Sequence, residues 1–140
     1  MIRVLFVCTG NRARSQMAEG LLRHLAGDRF EAHSAGTIPS GVADETVAVM
    51  KEIGVDVSGQ RSKHVDEYAG ERFDYVITVC DVANESCPVF PGGGRRLHWS
   101  IEDPSDAYER RGTLLDAFRA ARDDLRGRIE EFVREEGERT

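Results

Sequence analysis

The sequence lacks an apolar run long enough to cross a membrane. It also lacks a basic stretch followed by an apolar one at its start, so we expect no signal segment and no membrane association. Cysteine is scarce, and the three that are present do not make the disulfide framework of a small secreted domain. We therefore expect a soluble, cytoplasmic protein whose cysteines stay reduced and serve as reactive or metal-binding thiols.

Charge and cysteine spacing exclude two further kinds of site. The formal net charge of −6 argues against a nucleic-acid partner, although a local site on an acidic protein can still bind an anion. No C-x-x-C pair is present, so the three cysteines and His98 make a poor zinc site, and we expect no metal and no cofactor. Repeats, linkers and low-complexity segments are missing as well. A length of 140 residues then predicts one domain, residues 1–140, with a monomer as the default.

Apolar residues recur with strand spacing and helix spacing in alternation along the chain. Strands are predicted at residues 2–7, 31–34, 73–80 and 95–99. Helices are predicted at residues 15–25, 42–53 and 113–135, with one or two helical turns at 66–72 and a mostly irregular segment at 81–94. This alternation is typical of an α/β fold. We expect a four-stranded parallel sheet of order 2-1-3-4 with helices on both faces, as in flavodoxin-like proteins.

The segment between the first strand and the first helix carries a thiol, an arginine and a hydroxyl close together. Cys8 ends the strand pattern, and Arg14 and Ser15 stand where the helix begins. The amides of such a loop and the positive end of the helix dipole form an anion site, and a nearby cation further favours a thiolate. Arg14 can bind a tetrahedral oxyanion with its two-pronged guanidinium, and Ser15 can donate a hydrogen bond to the sulfur. The pattern predicts a nucleophile that faces a bound oxyanion.

Backbone amides of the same loop complete the predicted site. The oxyanion would be bound by Thr9, Gly10, Asn11, Arg12, Ala13 and Arg14. Gly10 and Asn11 tolerate the unusual backbone angles that such a loop needs. The alternative is that Cys8 is a buried cysteine at a strand end with no chemical role. The offsets of Gly10, Asn11, Arg14 and Ser15 from the cysteine favour the reactive site.

The predicted topology brings other chemical groups to this loop. Cys80 ends the third strand and Asp103 follows the fourth, so both are expected at the carboxyl edge of the sheet with Cys8. If the segment between Cys80 and Cys87 were helical, their Cα atoms would lie about 10.5 Å apart, whereas a disulfide needs about 7 Å or less. Bridging them would require unwinding, which suits a redox pair better than a permanent disulfide. The alternative is that Cys80 and Cys87 are ordinary small apolar residues.

Three stretches of the sequence resemble a known family. The run VLFVCTGNRARSQMAEG, from Val4 to Gly20, resembles the nucleophile loop and following helix shared by low-molecular-weight tyrosine phosphatases and the arsenate reductases built on the same fold. The runs CDVANESCP, from Cys80 to Pro88, and HWSIEDPS, from His98 to Ser105, are similar to the thioredoxin-coupled arsenate reductases. The resemblance extends from about residue 2 to the last helix. It implies an enzyme that reduces arsenate to arsenite.

The resemblance assigns roles to the residues around the loop. Cys8 would be the nucleophile that attacks arsenate, held by the loop amides and Arg14. Ser15 would support the thiolate. Asp103 would be the general acid that protonates the departing oxygen, a role that suits a partly desolvated carboxyl group.

The resemblance also implies a relay of three thiols. Cys80 would attack Cys8 and expel arsenite, after which Cys87 would attack Cys80 and leave a disulfide between Cys80 and Cys87. Thioredoxin would reduce this disulfide. Mycothiol- or glutathione-linked reductases of this fold need fewer internal thiols, so the retained pair favours thioredoxin as the electron donor.

The chain departs from the family pattern at two places. Ala13 stands where some relatives carry a further cysteine that others lack. Certain relatives bind potassium beside the loop through residues that match Asn11, Glu19 and Ser34, together with an acidic residue. Lys63 stands at the acidic position, so we expect its ammonium group to replace the ion and expect no potassium requirement.

Two other functions remain open. A low-molecular-weight tyrosine phosphatase would use the same loop, with a phosphocysteine at Cys8 and Asp103 as the acid for a tyrosine leaving group. Against it, Gln16 stands where the phosphatases usually have proline, and Ser105 and Asp106 stand where an aromatic pair commonly holds phosphotyrosine. The other alternative is an oxyanion- or metalloid-binding protein or sensor, which would bind arsenite without consuming arsenate.

Overall fold

The computed structural model describes residues 1–81, 90 and 94–139. The strands within these residues are β1 (Ile2–Cys8), β2 (Phe30–Gly36), β3 (Tyr75–Thr78) and β4 (Arg95–His98). The helices are α1 (Arg14–Ala26), α2 (Asp44–Lys51), α3 (Pro104–Arg111) and α4 (Leu114–Arg139), and a 3-10 helix spans Val65–Tyr68. No helix in this part of the chain is both long and apolar enough to cross a membrane.

The described strands form one parallel sheet of order β2-β1-β3-β4, which confirms the predicted fold class and strand order. Strand β1 lies in the interior of the sheet, and both of its faces are buried, which is why its sequence is almost continuously apolar. Val4 and Phe6 face one apolar cluster, and Leu5 and Val7 face another. The interior strand therefore ends inside the molecule, at Cys8.

The two faces of the sheet are covered differently in the described residues. Leu21 of α1 and Leu125 of α4 belong to the larger core, which also contains residues of α2. Helices α2 and α3 pack against α4. On the second face, Tyr68 of the 3-10 helix packs with Phe73 and Phe90. Because the strands are parallel, their carboxyl ends all lie at one edge of the sheet, which is where ligands bind in open α/β sheets.

Several predicted boundaries were wrong by a few residues, and one helix was not predicted. Strand β3 is shorter than residues 73–80, α2 is shorter than 42–53, and the helical turns expected at 66–72 are the 3-10 helix at Val65–Tyr68. Helix α3 follows Asp103, whose side chain accepts a hydrogen bond from the Ser105 amide, with Pro104 in the first turn. This capping signal was present in the sequence. Most of the predicted irregular segment, residues 81–94, lies outside the described residues.

Candidate active site

Cys8 ends β1 and is a free cysteine with only 2% of its surface exposed. Its Sγ lies 2.8 Å from Ser15 Oγ, and the backbone N–H of Asn11 donates to the sulfur at 3.3 Å. A hydroxyl and an amide therefore converge on one buried sulfur. Charge-assisted hydrogen bonds of this kind stabilise the thiolate, which is the nucleophilic form of cysteine.

The loop after β1 wraps closely around the end of β2. A Cβ atom on Gly36 would lie 2.4 Å from the Thr9 carbonyl oxygen and 2.9 Å from the Asn11 nitrogen, so a larger residue would displace the loop. Asn11 has a left-handed backbone with φ of 45°. The expectation of such an angle at Gly10 was wrong, because φ is not positive there. Glycine suits that position because a Cβ would lie 3.1 Å from Ser40 Oγ.

Arg14 is the first residue of α1, and its side chain is buried. Its Nη1 donates to the Ile101 carbonyl at 3.0 Å, and its Nη2 lies 3.5 Å from Asp103 Oδ2. The other carboxylate oxygen of Asp103, Oδ1, accepts the Ser105 amide at the start of α3. The cation and the predicted acid therefore stand side by side, each oriented by a hydrogen bond to the chain around residues 101–105.

A pocket of about 300 Å³ opens over the loop. It is lined by Cys8, Thr9, Gly10, Arg12, Ala13, Arg14, Ile38, Ser40, Asp103 and Ser105. Asn11 and Ser15 are fully buried beside Cys8. A larger cavity of about 620 Å³ lies at the opposite edge of the sheet near Arg3, Tyr75 and Arg95. Its described lining residues include no cysteine, serine or threonine, so of these two pockets the one over the loop holds such a nucleophile.

A buried ion pair lies behind the loop. Lys63 Nζ lies 3.5 Å from Glu19 Oε1, and the Ser34 hydroxyl donates to the same oxygen at 2.6 Å. Burial lowers the pKa of Lys63 below 10.5, and the Glu19 carboxylate opposes this shift. The Lys63 ammonium therefore supplies a positive charge beside the Glu19 carboxylate. Among the described residues, no group of three or more His, Cys, Asp or Glu side chains is placed to hold a metal ion.

Cys80 lies just beyond the end of β3, next to the end of β1. The Val79 amide donates to the Val7 carbonyl at 3.0 Å, so the chain still runs beside β1 immediately before Cys80. Cys80 is fully buried and disulfide-bonded. Cys87, together with the segment expected to unwind, lies outside the described residues.

Three residues that hold the site were not predicted to do so. Gly36 permits the approach of β2 to the loop, Ile101 supplies only a backbone carbonyl, and the Gln16 side chain donates to Asn11 Oδ1 at 2.9 Å. Gly36 lies beyond the strand predicted at residues 31–34 and was given no role, and Gln16 was noted only as a departure from the phosphatases. The contact to Ile101 has no local signal, because 87 positions separate it from Arg14.

The sequence and the fold of this chain are similar to those of known proteins. The family described as low molecular weight phosphotyrosine protein phosphatase matches residues 3–139. An arsenate reductase from Halalkalibacterium halodurans is 40% identical over 130 residues, which are 93% of this chain and 94% of that protein. An arsenate reductase solved in a phosphate-binding state has a TM-score of 0.80 at 31% identity and covers 96% of this chain and 98% of its own. A thioredoxin-dependent arsenate reductase from Corynebacterium glutamicum has a TM-score of 0.72 at 29% identity, over 96% of this chain and 61% of that one.

These similarities extend through the sheet and its helices rather than through the loop alone. They confirm the resemblance that the sequence motifs indicated, both to the phosphatase family and to its reductases. The chain therefore belongs to the low molecular weight phosphotyrosine protein phosphatase family and, within it, to the branch of the arsenate reductases.

Proposed function

We propose that this protein reduces arsenate to arsenite and that Cys8, Cys80 and Cys87 act in turn. The observation that carries the proposal is a difference between two sulfurs at one edge of the sheet: Cys8 is free, whereas Cys80 is disulfide-bonded. A phosphatase needs only the first thiol. A second sulfur that forms a disulfide beside the strand of the nucleophile supplies the means to move two electrons.

The first step joins arsenic to the nucleophile. Arsenate is a tetrahedral oxyanion, which suits the loop amides and the Arg14 guanidinium. The Cys8 thiolate attacks arsenic, so that a sulfur–arsenic bond forms and one arsenic–oxygen bond breaks. Asp103, 3.5 Å from Arg14, gives its proton to the departing oxygen, which leaves as water.

The second step transfers the electrons. The Cys80 thiolate attacks the Cys8 sulfur, a disulfide forms, and the electron pair of the sulfur–arsenic bond stays with arsenic, which leaves as arsenite. The Cys87 thiolate then attacks Cys80 and releases Cys8 as a thiolate. The two thiols that end in the disulfide have supplied both electrons. A free Cys8 with Cys80 in a disulfide is the state that the proposal assigns to the end of a turnover.

Thioredoxin is the proposed reductant of the final disulfide. The existence of a thioredoxin-dependent reductase with a similar fold supports this choice. The second and third cysteines support it too, because a small thiol such as glutathione or mycothiol would resolve the arsenic adduct without them. Such a cycle needs a compartment that keeps thiols reduced, so the proposal includes a cytoplasmic location.

Single cysteine variants test the relay. Arsenate turnover is followed as NADPH oxidation with thioredoxin and its reductase, for the wild type and for Cys8→Ser, Cys80→Ser and Cys87→Ser. The same proteins are assayed for hydrolysis of an aryl phosphate. We expect every variant to lose multiple turnover of arsenate, and only Cys8→Ser to lose aryl-phosphate cleavage. Intact arsenate turnover in Cys80→Ser and Cys87→Ser would show that the relay is wrong.

The same assays separate the alternatives. The loop, Arg14 and Asp103 fit phosphate as well as arsenate, so weak aryl-phosphate cleavage agrees with the proposal. Efficient cleavage without arsenate turnover would instead identify a phosphatase. Arsenite binding without consumption of arsenate would identify a binding protein or sensor. Replacing thioredoxin with glutathione or mycothiol and their reductases tests the electron donor, and we expect turnover to depend on thioredoxin.

A further inference from the structure

Gln16 is a fully buried polar residue that the proposed relay leaves without a role. Its Nε2 donates to the Asn11 carbonyl at 3.2 Å, to Asn11 Oδ1 at 2.9 Å and to the Arg61 carbonyl at 3.0 Å. Two of these acceptors are backbone carbonyls, which only accept, so they determine which end of the Gln16 amide faces the loop. The other end, Oε1, accepts a hydrogen bond from Gln60 Nε2 at 2.7 Å.

The orientation of the Asn11 amide follows from these contacts. Its Oδ1 accepts from Gln16 Nε2 at 2.9 Å and from the Lys63 backbone N–H at 2.8 Å. Its Nδ2 therefore faces the opposite way and donates to Ser15 Oγ at 2.8 Å and to Ser34 Oγ at 3.0 Å. Both amide protons of Asn11 are then used.

The direction of the last hydrogen bond depends on that orientation. Ser15 Oγ accepts from Asn11, so its single proton remains available for Cys8 Sγ at 2.8 Å. If the Asn11 amide turned over, its oxygen would face Ser15 and would compete for this proton. The orientation of one buried amide therefore decides whether the Cys8 sulfur receives a hydrogen bond from the hydroxyl.

We propose that Gln16 is a positioning residue for the nucleophile, because together with the Lys63 backbone N–H it holds the Asn11 amide in the orientation that directs the Ser15 proton to the Cys8 thiolate. The inference rests on the proposed function only in taking Cys8 as the nucleophile. The bond from Gln16 to the Asn11 carbonyl also supports the left-handed backbone of Asn11, whose φ is 45°. Gln16 thus acts on the sulfur through two intermediate side chains and is not one of the residues that line the pocket.

The pH dependence of Cys8 alkylation tests this role. Reduced full-length protein is treated with iodoacetamide across a pH series, and modification of the Cys8 peptide is followed by mass spectrometry. Gln16→Glu replaces the donor that faces Asn11 with an acceptor of similar shape. We expect the midpoint pH of Cys8 modification to rise by about one pH unit, a tenfold loss of rate below the midpoint. Gln16→Met removes the hydrogen bonds without adding charge and is expected to raise the midpoint by about half a unit.

Two controls separate positioning from packing and from charge. Gln60→Met removes a partner of Gln16 that makes no hydrogen bond to Asn11, and we expect it to leave the midpoint at the wild-type value. In a Ser15→Ala background the proton is missing, so neither Gln16 variant is expected to move the midpoint further. A shift that persists in that background, whether from added charge or from altered packing, would overturn the inference.

The remaining outcomes are also decisive. If Gln16→Glu does not fold, Gln16→Met carries the same test, and a folded Gln16→Met protein with the wild-type midpoint overturns the inference. Arsenate turnover is not part of the readout. A protein whose midpoint shifts as expected but which consumes no arsenate would therefore contradict the proposed function and still support the role of Gln16.

Discussion

Gly36 sets how closely the end of β2 approaches the anion-binding loop, and Gly36→Ala is a direct test of that geometry. Ordinary contacts of a Cβ atom begin at 3.4 Å, whereas the added Cβ would lie 2.4 Å from the Thr9 carbonyl oxygen. The strand or the loop must therefore move by about 1 Å. The next atoms, the Asn11 nitrogen at 2.9 Å and the Cys8 carbonyl oxygen at 3.0 Å, also belong to the backbone. No side chain can rotate to relieve the overlap.

The magnitude of the effect follows from this displacement. Overpacking in a well-packed region costs about 1–3 kcal/mol of unfolding free energy. Misplacing catalytic groups by about 1 Å costs about 100-fold in rate. We expect Gly36→Ala to lower kcat/KM for arsenate about 100-fold and the free energy of unfolding by about 2 kcal/mol. Turnover with thioredoxin, its reductase and NADPH measures the first value, and urea unfolding measures the second.

Gly59→Ala is the matched control, because nothing lies within 4 Å of a Cβ added at this exposed glycine. Its unfolding free energy is expected to stay within about 0.5 kcal/mol of the wild type, with unchanged turnover. A Gly36→Ala protein with wild-type turnover would refute the idea that this contact sets the position of the loop. An equal loss of turnover in both variants would refute it too.

Three further predictions concern charged and titrating groups. Lys63→Asp removes the ammonium 3.5 Å from Glu19, so we expect arsenate turnover to become dependent on potassium at constant ionic strength, whereas the wild type is expected to need none. Hydrogen bonds from Arg119 and, to a smaller extent, from Arg122 lower the pKa of Glu52 from 4.5 to about 2. The ionised Glu52 carboxylate therefore adds to the unfolding free energy above pH 4.5, and this stabilisation is lost as the pH falls toward 2. The unfolding free energy of Glu52→Gln is therefore expected to change less over that range. Burial raises the pKa of Tyr68 from 10.0 to about 12. The contribution of the neutral phenol to the unfolding free energy is therefore present below pH 10 and is lost by pH 12. Tyr68→Phe is expected to lose less stability than the wild type over that interval.

Each of these predictions has a control and a result that contradicts it. Lys51→Asp makes the same charge change at an exposed lysine of α2 and is expected to create no potassium dependence. A potassium requirement in the wild type would contradict the role of Lys63. Glu138→Gln removes an exposed carboxylate of α4 and is expected to keep the wild-type acid dependence, and parallel curves for Glu52→Gln would contradict the ion-pair argument. For Tyr68, the contrary result is a wild-type stability that stays constant between pH 10 and 12, the range of its raised pKa.

Local patterns in the sequence were enough to predict the order of the sheet and the loop at its centre. The apolar run of β1 predicted a strand buried on both faces, and the alternation of strands and helices left few topologies open. The same rules predicted that Cys8, Cys80 and Asp103 follow strands that end at one edge. Helix α3 was not predicted, because it is short and has few apolar positions to set its period. The 3-10 helix was predicted, but only as one or two helical turns with a later start and end.

Only the tertiary structure decided the contacts that hold the site in place. The Ile101 carbonyl lies 87 positions from Arg14, and the Lys63 amide lies 52 positions from Asn11. Local periodicity depends on which residues are buried, whereas a hydrogen bond between distant segments depends on where packed elements stop and which atoms then face each other. The sequence of the loop predicted a nucleophile and an oxyanion site. The direction of the hydrogen bonds that connect Gln16 to Cys8 through Asn11 and Ser15 depends instead on backbone carbonyls and amides that meet only in the folded protein.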